Sequence, residues 1–256
     1  MELNKIYNMD CEKGLELMIT DKNLIDGVIT SPPYNIIRPN STDRGYDKYK
    51  DGMSNEQYIN WTIRLFDKMD KVIKPNGKIL YNMSYGCENT ECMNLTVAEI
   101  IKKTNFTLAD IIVWKKYSAT PNNVSQNRLT RICEFIYVFC RKDEKNTFVT
   151  AKNILKQRTT GQNIFENTFN FIIAKNNDES CELNKANFST DLVNQLIKIY
   201  FSKGDVIADI FMGTGTTAIS CIKNGINYIG FELSTKQCEW AENRIKKVEN
   251  QFTLDI

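Results

Sequence analysis

The sequence predicts an α/β fold in which strands and helices alternate along a chain of 256 residues. The first observation is that short apolar runs, typical of buried strands, alternate with segments whose apolar residues recur at helical spacing. The second is an apolar strand that ends in two consecutive prolines, and the third is a glycine-rich turn between a strand and a helix near the C-terminus. We expect one large domain that carries a small insert.

The predicted elements begin with a helix and a strand. In chain order they are a helix over 12–19, a strand over 24–29, a helix over 54–74, a strand over 78–83, a helix over 94–103, strands over 106–115 and 132–140, a helix over 192–201, a strand over 206–210, a helix over 216–224, a strand over 228–231 and a helix over 234–248. Ser54 and Gln57 have the spacing of a capping box. The strands over 106–115 and 132–140 follow each other without a helix, so we expect them to pair antiparallel.

Two regions lack clear periodicity. Residues 36–52 are polar and form a long loop, of a length that is usually functional. Residues 141–182 are polar and rich in Asn and Lys, with apolar pieces only at 164–165 and 169–173. We expect the second region to be the insert.

Composition excludes several classes of chemistry. The chain has no histidine, which removes imidazole bases, Ser-His-Asp triads and most zinc sites. Its eight cysteines form no CxxC pair, so neither disulfides nor a metal site is predicted. The N-terminus is polar and no apolar run reaches the length of a membrane span, so we expect a cytoplasmic protein. The net charge of +2 is nearly neutral, so any nucleic-acid surface must be local.

The first motif is Thr30-Ser31-Pro32-Pro33-Tyr34, at the end of an apolar strand. Two prolines fix the backbone and cannot continue a strand or helix. The result is a stiff loop that offers the Ser31 hydroxyl, carbonyl oxygens and the aromatic ring of Tyr34. Pro-Pro also marks ordinary turns, so this motif alone leaves a plain turn open.

The second motif runs from Asp209 to Thr217, with Gly213 and Gly215 between a strand and a helix. Glycines allow a tight turn and close approach of a ligand, and the helix N-terminus offers free N–H groups. Glu232 ends the next strand, where a carboxylate can hold the two hydroxyls of a ribose. The spacing is neither GxGxxG nor GxxxxGK[ST], so plain packing stays open for this motif alone.

Together, TSPPY followed by DxFxGxGTT resembles the DNA amino-methyltransferases that act on cytosine N4 or adenine N6. The motif order is the permuted one, with the catalytic half first. The resemblance implies a doubly wound, seven-stranded, mostly parallel sheet of the S-adenosylmethionine-dependent methyltransferase type, ending in an antiparallel hairpin. It divides the domain into a catalytic half (1–140), a target-recognition insert (141–182) and a cofactor half (183–256).

The resemblance also implies roles for individual residues. The catalytic residues are Ser31, Pro32, Pro33 and Tyr34. The residues around S-adenosyl-L-methionine are Asp10, Cys11, Asp209, Phe211, Gly213, Gly215, Thr216 and Glu232. Before the helix of the cofactor half, Ser189 stands where the family has a proline, which puts the local backbone in question.

The implied chemistry needs no histidine. A sulfonium methyl is already activated, and acceptors at Ser31 and Pro32 would free the lone pair of the target amino nitrogen. Proton loss can follow methyl transfer, so no tuned base is required. The base must leave the duplex to reach this loop, and Tyr34 would stack on it. Ser-Pro-Pro-Tyr favours cytosine N4 in the family, and adenine N6 is the alternative.

The implied partner is double-stranded DNA. Candidate DNA-binding residues are basic side chains in the loops and the insert: Arg38, Arg44, Lys48, Arg128, Arg131, Lys156 and Arg158. A restriction endonuclease partner and a homodimer stay open. So do two other functions: methylation of RNA or of a protein amide, and an inactive subunit of a restriction-modification system that binds DNA and cofactor.

Overall fold

The computed structural model describes residues 1–35, 52–83, 89–119, 121, 126–127, 129–178 and 188–254, without the side chains of 252–254. In these ranges the helices are α1 (Cys11–Thr20), α2 (Asn55–Asp70), α3 (Thr90–Lys103), α4 (Thr190–Tyr200), α5 (Thr216–Asn224) and α6 (Thr235–Leu254). The strands are β1 (Lys5–Asn8), β2 (Ile25–Thr30), β3 (Ile73–Met83), β4 (Phe106–Lys116), β5 (Cys133–Arg141), β6 (Ile154–Gln157), β7 (Asn163–Phe165), β8 (Phe171–Ala174), β9 (Val206–Asp209) and β10 (Asn227–Glu232).

A central sheet carries the fold, with its described strands in the order β1-β10-β9-β2-β3-β5-β4-β8. Strands β1, β10, β9, β2 and β3 are parallel, and β5 is antiparallel to both β3 and β4. The predicted α/β class with a mostly parallel sheet is therefore confirmed, and so is the antiparallel pair, β4 with β5. The resemblance implies seven strands in this sheet. The structure adds β8, which comes from residues 141–182 and pairs with β4.

Helices cover both faces of this sheet. One buried apolar layer includes Leu15 of α1 and Phe66 of α2. The other includes Leu196 of α4 and Ile219 of α5. Burial of apolar surface against both faces stabilises this three-layer arrangement, since each helix is apolar on one side. No helix in the described ranges is long and apolar enough to span a membrane.

The two motif-bearing strands, β2 and β9, are neighbours, with Gly27 opposite Ile207 and Val28 opposite Ala208. The sheet continues from β2 to β3 on one side and from β9 to β10 on the other. The strand order therefore reverses between them, which opens a crevice at their carboxyl ends. Both motifs leave their strands at this crevice.

Helix α2 ends at Asp70, earlier than predicted, and β3 already begins at Ile73. Ile73 is buried and pairs with Ile25 of β2. Residues predicted to end the helix therefore belong to the sheet, because tertiary burial outweighs local propensity. Pro75-Asn76-Gly77 lies within β3, where the register with β2 shifts, and Asn76 adopts a φ of 59°.

Strand β1 has no counterpart in the predicted elements. It has four residues and only Ile6 is buried, so it presents no apolar run. Within residues 141–178, β6 and β7 form a two-stranded sheet of their own. All four side chains of β6 are exposed.

Candidate active site

Both motifs line one cavity at the carboxyl ends of β2, β9 and β10. From the first motif the lining residues are Ser31, Pro32, Pro33 and Tyr34. From the second motif, the end of β10 and the start of α1, they are Asp209, Phe211, Gly213, Thr216, Glu232, Asp10 and Cys11. Residues separated by about two thirds of the chain thus share one site.

Asp209 joins the two motifs physically. Its Oδ1 accepts a hydrogen bond from the Thr30 hydroxyl at 2.6 Å and from the Phe211 N–H at 3.0 Å. Its Oδ2 accepts one from the Thr217 hydroxyl at 2.6 Å. The side chain is 1% exposed. Asp209 is therefore a buried anchor that fixes the Pro-Pro loop against the glycine-rich loop.

Burial raises the pKa of Asp209 to about 6 from 3.8, although the hydrogen bonds from Thr217, Thr30 and Phe211 oppose the shift. The unfolded chain loses this proton near pH 4, so between pH 4 and 6 the folded state binds more protons. The free energy of unfolding should therefore fall by about 3 kcal/mol as pH rises through this window. Urea unfolding of the wild type and Asp209→Asn from pH 4 to 7 checks this, since the asparagine cannot titrate. Parallel pH profiles would contradict it.

Glu232 bridges the glycine-rich loop and the start of α6. Its Oε2 accepts from the Gly213 N–H at 2.8 Å and its Oε1 from the Ser234 N–H at 2.8 Å. A carboxylate oxygen has two lone pairs, so these bonds leave acceptor capacity toward the cavity. Glu232 can therefore hold the loop and accept from a ligand hydroxyl.

Gly215 stands apart from the other predicted cofactor residues, because it does not line the cavity. It precedes α5 with a φ of 84°. A Cβ there would lie 2.9 Å from the Cβ of Ala241. Backbone conformation and close packing against α6 therefore explain this glycine.

Asp10 and Cys11 form another wall of the cavity. Asp10 is the N-cap of α1, where its Oδ1 accepts from the N–H groups of Glu12 at 2.9 Å and Lys13 at 3.3 Å. Cys11 is buried, and burial raises the pKa of its thiol, with Asp10 adding to the shift. The thiol is thus neutral and serves as an apolar surface.

The Pro-Pro loop is held from α2. The Tyr58 hydroxyl, which is buried, donates to the Pro33 carbonyl at 2.7 Å. No donor among the described residues contacts the Pro32 carbonyl. Ser31 Oγ lies 3.2 Å from the Tyr34 hydroxyl. Ser31 and Pro32 both line the cavity, so the Ser31 hydroxyl and the Pro32 carbonyl are its candidate acceptors for an amino group.

Several lining residues are not among the predicted site residues. Trp61 of α2 lines the cavity and its ring centroid lies 5.6 Å from that of Phe211. Phe188 also lines it, directly before Ser189, which caps α4 by accepting from the Leu192 N–H at 3.3 Å. Ser189 therefore serves as a helix cap at the position where the resemblance implies a proline. No local pattern marks Trp61, because it reaches the site only through the packing of α2.

The predicted DNA-binding residues are only partly described. Arg131, Lys156 and Arg158 are exposed, and the last two lie on or beside β6. The remaining candidates fall outside the described residues: Arg38, Arg44, Lys48 and Arg128.

Comparison with known proteins gives the family. A family model described as DNA methylase, of the N6/N4 methyltransferase type, matches residues 25–243. The chain belongs to this family. The N6/N4 DNA methylase match spans both motifs and every element from β2 into α6, and it confirms the resemblance to this family.

Three relatives from bacteria show how similar this N6/N4 DNA methylase is to known proteins. The Type II methyltransferase M.HinfI of Haemophilus influenzae is 25% identical over 96% of this chain and 69% of its own length. The orphan methyltransferase M.BamHII of Bacillus amyloliquefaciens is 26% identical over 87% of this chain and 89% of its own length. The Type II methyltransferase M.BamHI of the same organism is 26% identical over 99% of this chain, which spans only 59% of that relative.

Solved structures agree on the fold. The crystal structure of an M1.HpyAVI-SAM complex has a TM-score of 0.64 at 20% identity, over 94% of this chain and 98% of that one. PvuII DNA methyltransferase, named as cytosine-N4-specific, has a TM-score of 0.69 at 17% identity, over 96% of this chain and 91% of that one. The fold of the N6/N4 DNA methylase is therefore that of the methyltransferases, as predicted.

Proposed function

We propose that this chain transfers a methyl group from S-adenosyl-L-methionine to the exocyclic amino group of a flipped DNA base, with cytosine N4 as the target. The observation that carries the proposal is the shared cavity, which Ser31 and Pro32 line together with Glu232 and the glycine-rich loop. A loop of amino-group acceptors beside a nucleoside-type site fits this transfer. Family membership supports DNA as the substrate.

The residues of the cavity fit S-adenosyl-L-methionine. Glu232 offers carboxylate oxygens at the end of β10, where ribose hydroxyls are held in nucleotide-binding sheets. Asp10, Cys11 and Phe211 provide polar and apolar surface for an adenine, and the glycine-rich loop provides close backbone approach. When bound, the cofactor supplies a methyl group activated by a sulfonium.

The chain's own part is to hold the target amino group. Ser31 Oγ and the Pro32 carbonyl would accept its two hydrogens and free the nitrogen lone pair from the ring. Tyr34, with its ring in the cavity wall, would stack on the extruded base. The residues also need to keep the nitrogen aligned with the methyl group, which accounts for much of the catalysis expected at such a site.

The choice of cytosine N4 rests on Ser31. A neutral hydroxyl stands at the position where adenine-directed members of the family more often carry aspartate. Adenine N6 is the second candidate, because its amino group presents the same two hydrogens to the same two acceptors.

Product analysis tests this function. Purified protein is incubated with labelled S-adenosyl-L-methionine and unmodified DNA of diverse sequence, and the digested nucleosides are separated by mass spectrometry. N4-methylcytosine is the expected product. N6-methyladenine as the product would change the assigned target to adenine N6 and leave the proposed methyl transfer standing. The absence of label in every DNA would refute the function.

We further propose that the chain consists of a catalytic half (1–140), an insert (141–182) and a cofactor half (183–256). In this proposal the insert reads the target DNA sequence. The supporting feature is the exposed β6–β7 sheet, where Lys156 and Arg158 lie close together in the chain. With Arg131, they would contact phosphates. Gln162 accepts from Arg158 at 3.3 Å, which orders the turn between the two strands.

Replacing Lys156 or Arg158 with alanine should weaken DNA binding by a similar factor for all sequences. The slope of log K against log salt should also fall by about 1 for each phosphate that the variant no longer neutralises. Fluorescence anisotropy with duplex DNA at several salt concentrations measures both effects. Lys203→Ala is the control, because Lys203 is an exposed lysine just before β9 and lies outside the β6–β7 sheet. Unchanged slopes for the first two variants would contradict a phosphate-binding role.

A restriction endonuclease and a second copy of the chain are the remaining partner proposals. M.HinfI is named as a Type II enzyme and M.BamHII as an orphan, so relatives of both kinds exist. Analytical ultracentrifugation with and without duplex DNA tests for the dimer. Protection of methylated DNA against restriction enzymes tests for a matching endonuclease. A DNA substrate would place the chain in the cytoplasm.

A further inference from the structure

A buried polar network lies behind the Pro-Pro loop, at the ends of β3 and β5. Asn82 of β3 is 4% exposed. Its Nδ2 lies 3.2 Å from Glu134 Oε2, 3.1 Å from the Tyr34 hydroxyl and 3.4 Å from Ser31 Oγ. Glu134 of β5 pairs in turn with Lys116 of β4. The network thus joins three strands of the sheet to two residues of the catalytic loop.

Glu134 determines which way the Asn82 amide points. A carboxylate only accepts hydrogen bonds, so it requires the amide nitrogen to face it. The hydroxyls of Ser31 and Tyr34 can donate or accept, so they impose no direction. Asn82 Oδ1 is buried and has no hydrogen-bond partner among the described residues. An unpaired buried oxygen costs free energy. The hydrogen bond from the amide to the charged Glu134 carboxylate offsets this cost.

The orientation has a consequence for the catalytic loop. One amide hydrogen is directed at Glu134, and the other is shared between the Tyr34 hydroxyl and the more distant Ser31 Oγ. Asn82 therefore acts on both side chains as a donor from a rigid strand. Lys116 keeps Glu134 in place, and its ammonium lies 4.9 Å from the centre of the Trp114 ring.

We propose that Asn82, oriented by Glu134, is a positioning residue that sets the Ser31 hydroxyl and the Tyr34 ring for the target amino group. The inference rests on the proposed methyl transfer and adds two residues outside both motifs. Asn82 touches neither the cofactor site nor the Pro32 carbonyl in the described contacts. Its effect should therefore appear in kcat rather than in cofactor affinity.

The first test is Asn82→Leu, which keeps the branched shape and the number of heavy atoms and removes the donors. We expect kcat for methyl transfer to fall about 10- to 100-fold, because small misplacements of reacting groups have effects of this size. The Kd for S-adenosyl-L-methionine and the Tm should stay at the wild-type values. The paired variant Lys116→Met with Glu134→Met removes both charges together and should also lower kcat, since the amide loses the group that orients it.

The matched control removes another Lys–Glu pair, Glu99–Lys103 on α3, whose atoms lie 2.7 Å apart. Glu99→Met with Lys103→Met should leave kcat unchanged. A double-mutant cycle separates positioning from general damage: Asn82→Leu and Tyr34→Phe together should be no slower than the slower single variant. Fully additive effects, or wild-type kcat in Asn82→Leu, would overturn the inference. A wild-type arm that transfers no methyl group would instead refute the proposed function itself.

Discussion

Replacing Tyr34 with alanine is expected to lower kcat for DNA methylation by at least about 100-fold, since an unsupported base loses its alignment with the methyl group. The ring lines the cavity beside the Pro-Pro loop, and its hydroxyl contacts Ser31 and Asn82. These contacts lie on the side of the catalytic loop and β3. The Kd for S-adenosyl-L-methionine, measured by calorimetry, should therefore stay at the wild-type value.

Tyr34→Phe is the control for this prediction, because it keeps the ring and removes only the hydroxyl. We expect a fall in kcat of about 10-fold, from the missing hydrogen bonds alone. Single-turnover methylation of a short duplex with all three proteins gives the comparison. Equal rates for Tyr34→Ala and Tyr34→Phe would show that the ring has no stacking role.

Replacing Glu232 with alanine is expected to raise the Kd for S-adenosyl-L-methionine by about 100-fold. Removing an ionised acceptor from a ligand hydroxyl has an effect of this order, about 1.5 to 3 kcal/mol. The loop loses support as well, since Gly213 and Ser234 both donate to this carboxylate. Glu232→Gln should be intermediate, because one oxygen remains as an acceptor. Calorimetric titration with the cofactor measures the Kd of the wild type and of both variants.

Glu239→Gln is the matched control for Glu232. It makes the same chemical change on an exposed position of α6. The cofactor Kd of this variant should equal that of the wild type. If Glu232→Ala bound the cofactor normally but lost turnover, the assignment of Glu232 to the cofactor would be wrong.

The main features of the fold follow from local patterns. Helix α5 and the pair β4–β5 were predictable because apolar period, glycine placement and the absence of an intervening helix all agree. The end of α2 was not, because the burial of Ile73 beside β2 competes with a continuing helical pattern. Strand β1 was not either, since only one of its four residues is buried.

The candidate site divides in the same way. The loop residues Ser31 and Tyr34 and the carboxylate Glu232 could be found from the sequence, because prolines, glycines and strand ends mark their positions. Trp61 and Phe188 carry no such mark, since their place in the cavity depends on how α2 and the start of α4 pack. One feature marks the position of Asn82: it lies near the end of β3, the strand adjacent to β2.

The sequence by itself determined the chemistry available to this protein. Its stiff Pro-Pro loop, its glycine-rich turn and its lack of histidine already point to acceptors rather than to an imidazole base. Only the tertiary structure decided how these parts act together. Thr30 and Asp209, 179 residues apart, meet at 2.6 Å because β2 and β9 are adjacent strands. Glu134 reaches Asn82 because β5 pairs with β3. Such contacts depend on strand order, which no local pattern encodes, because pairing of distant strands is set by burial of the whole sheet.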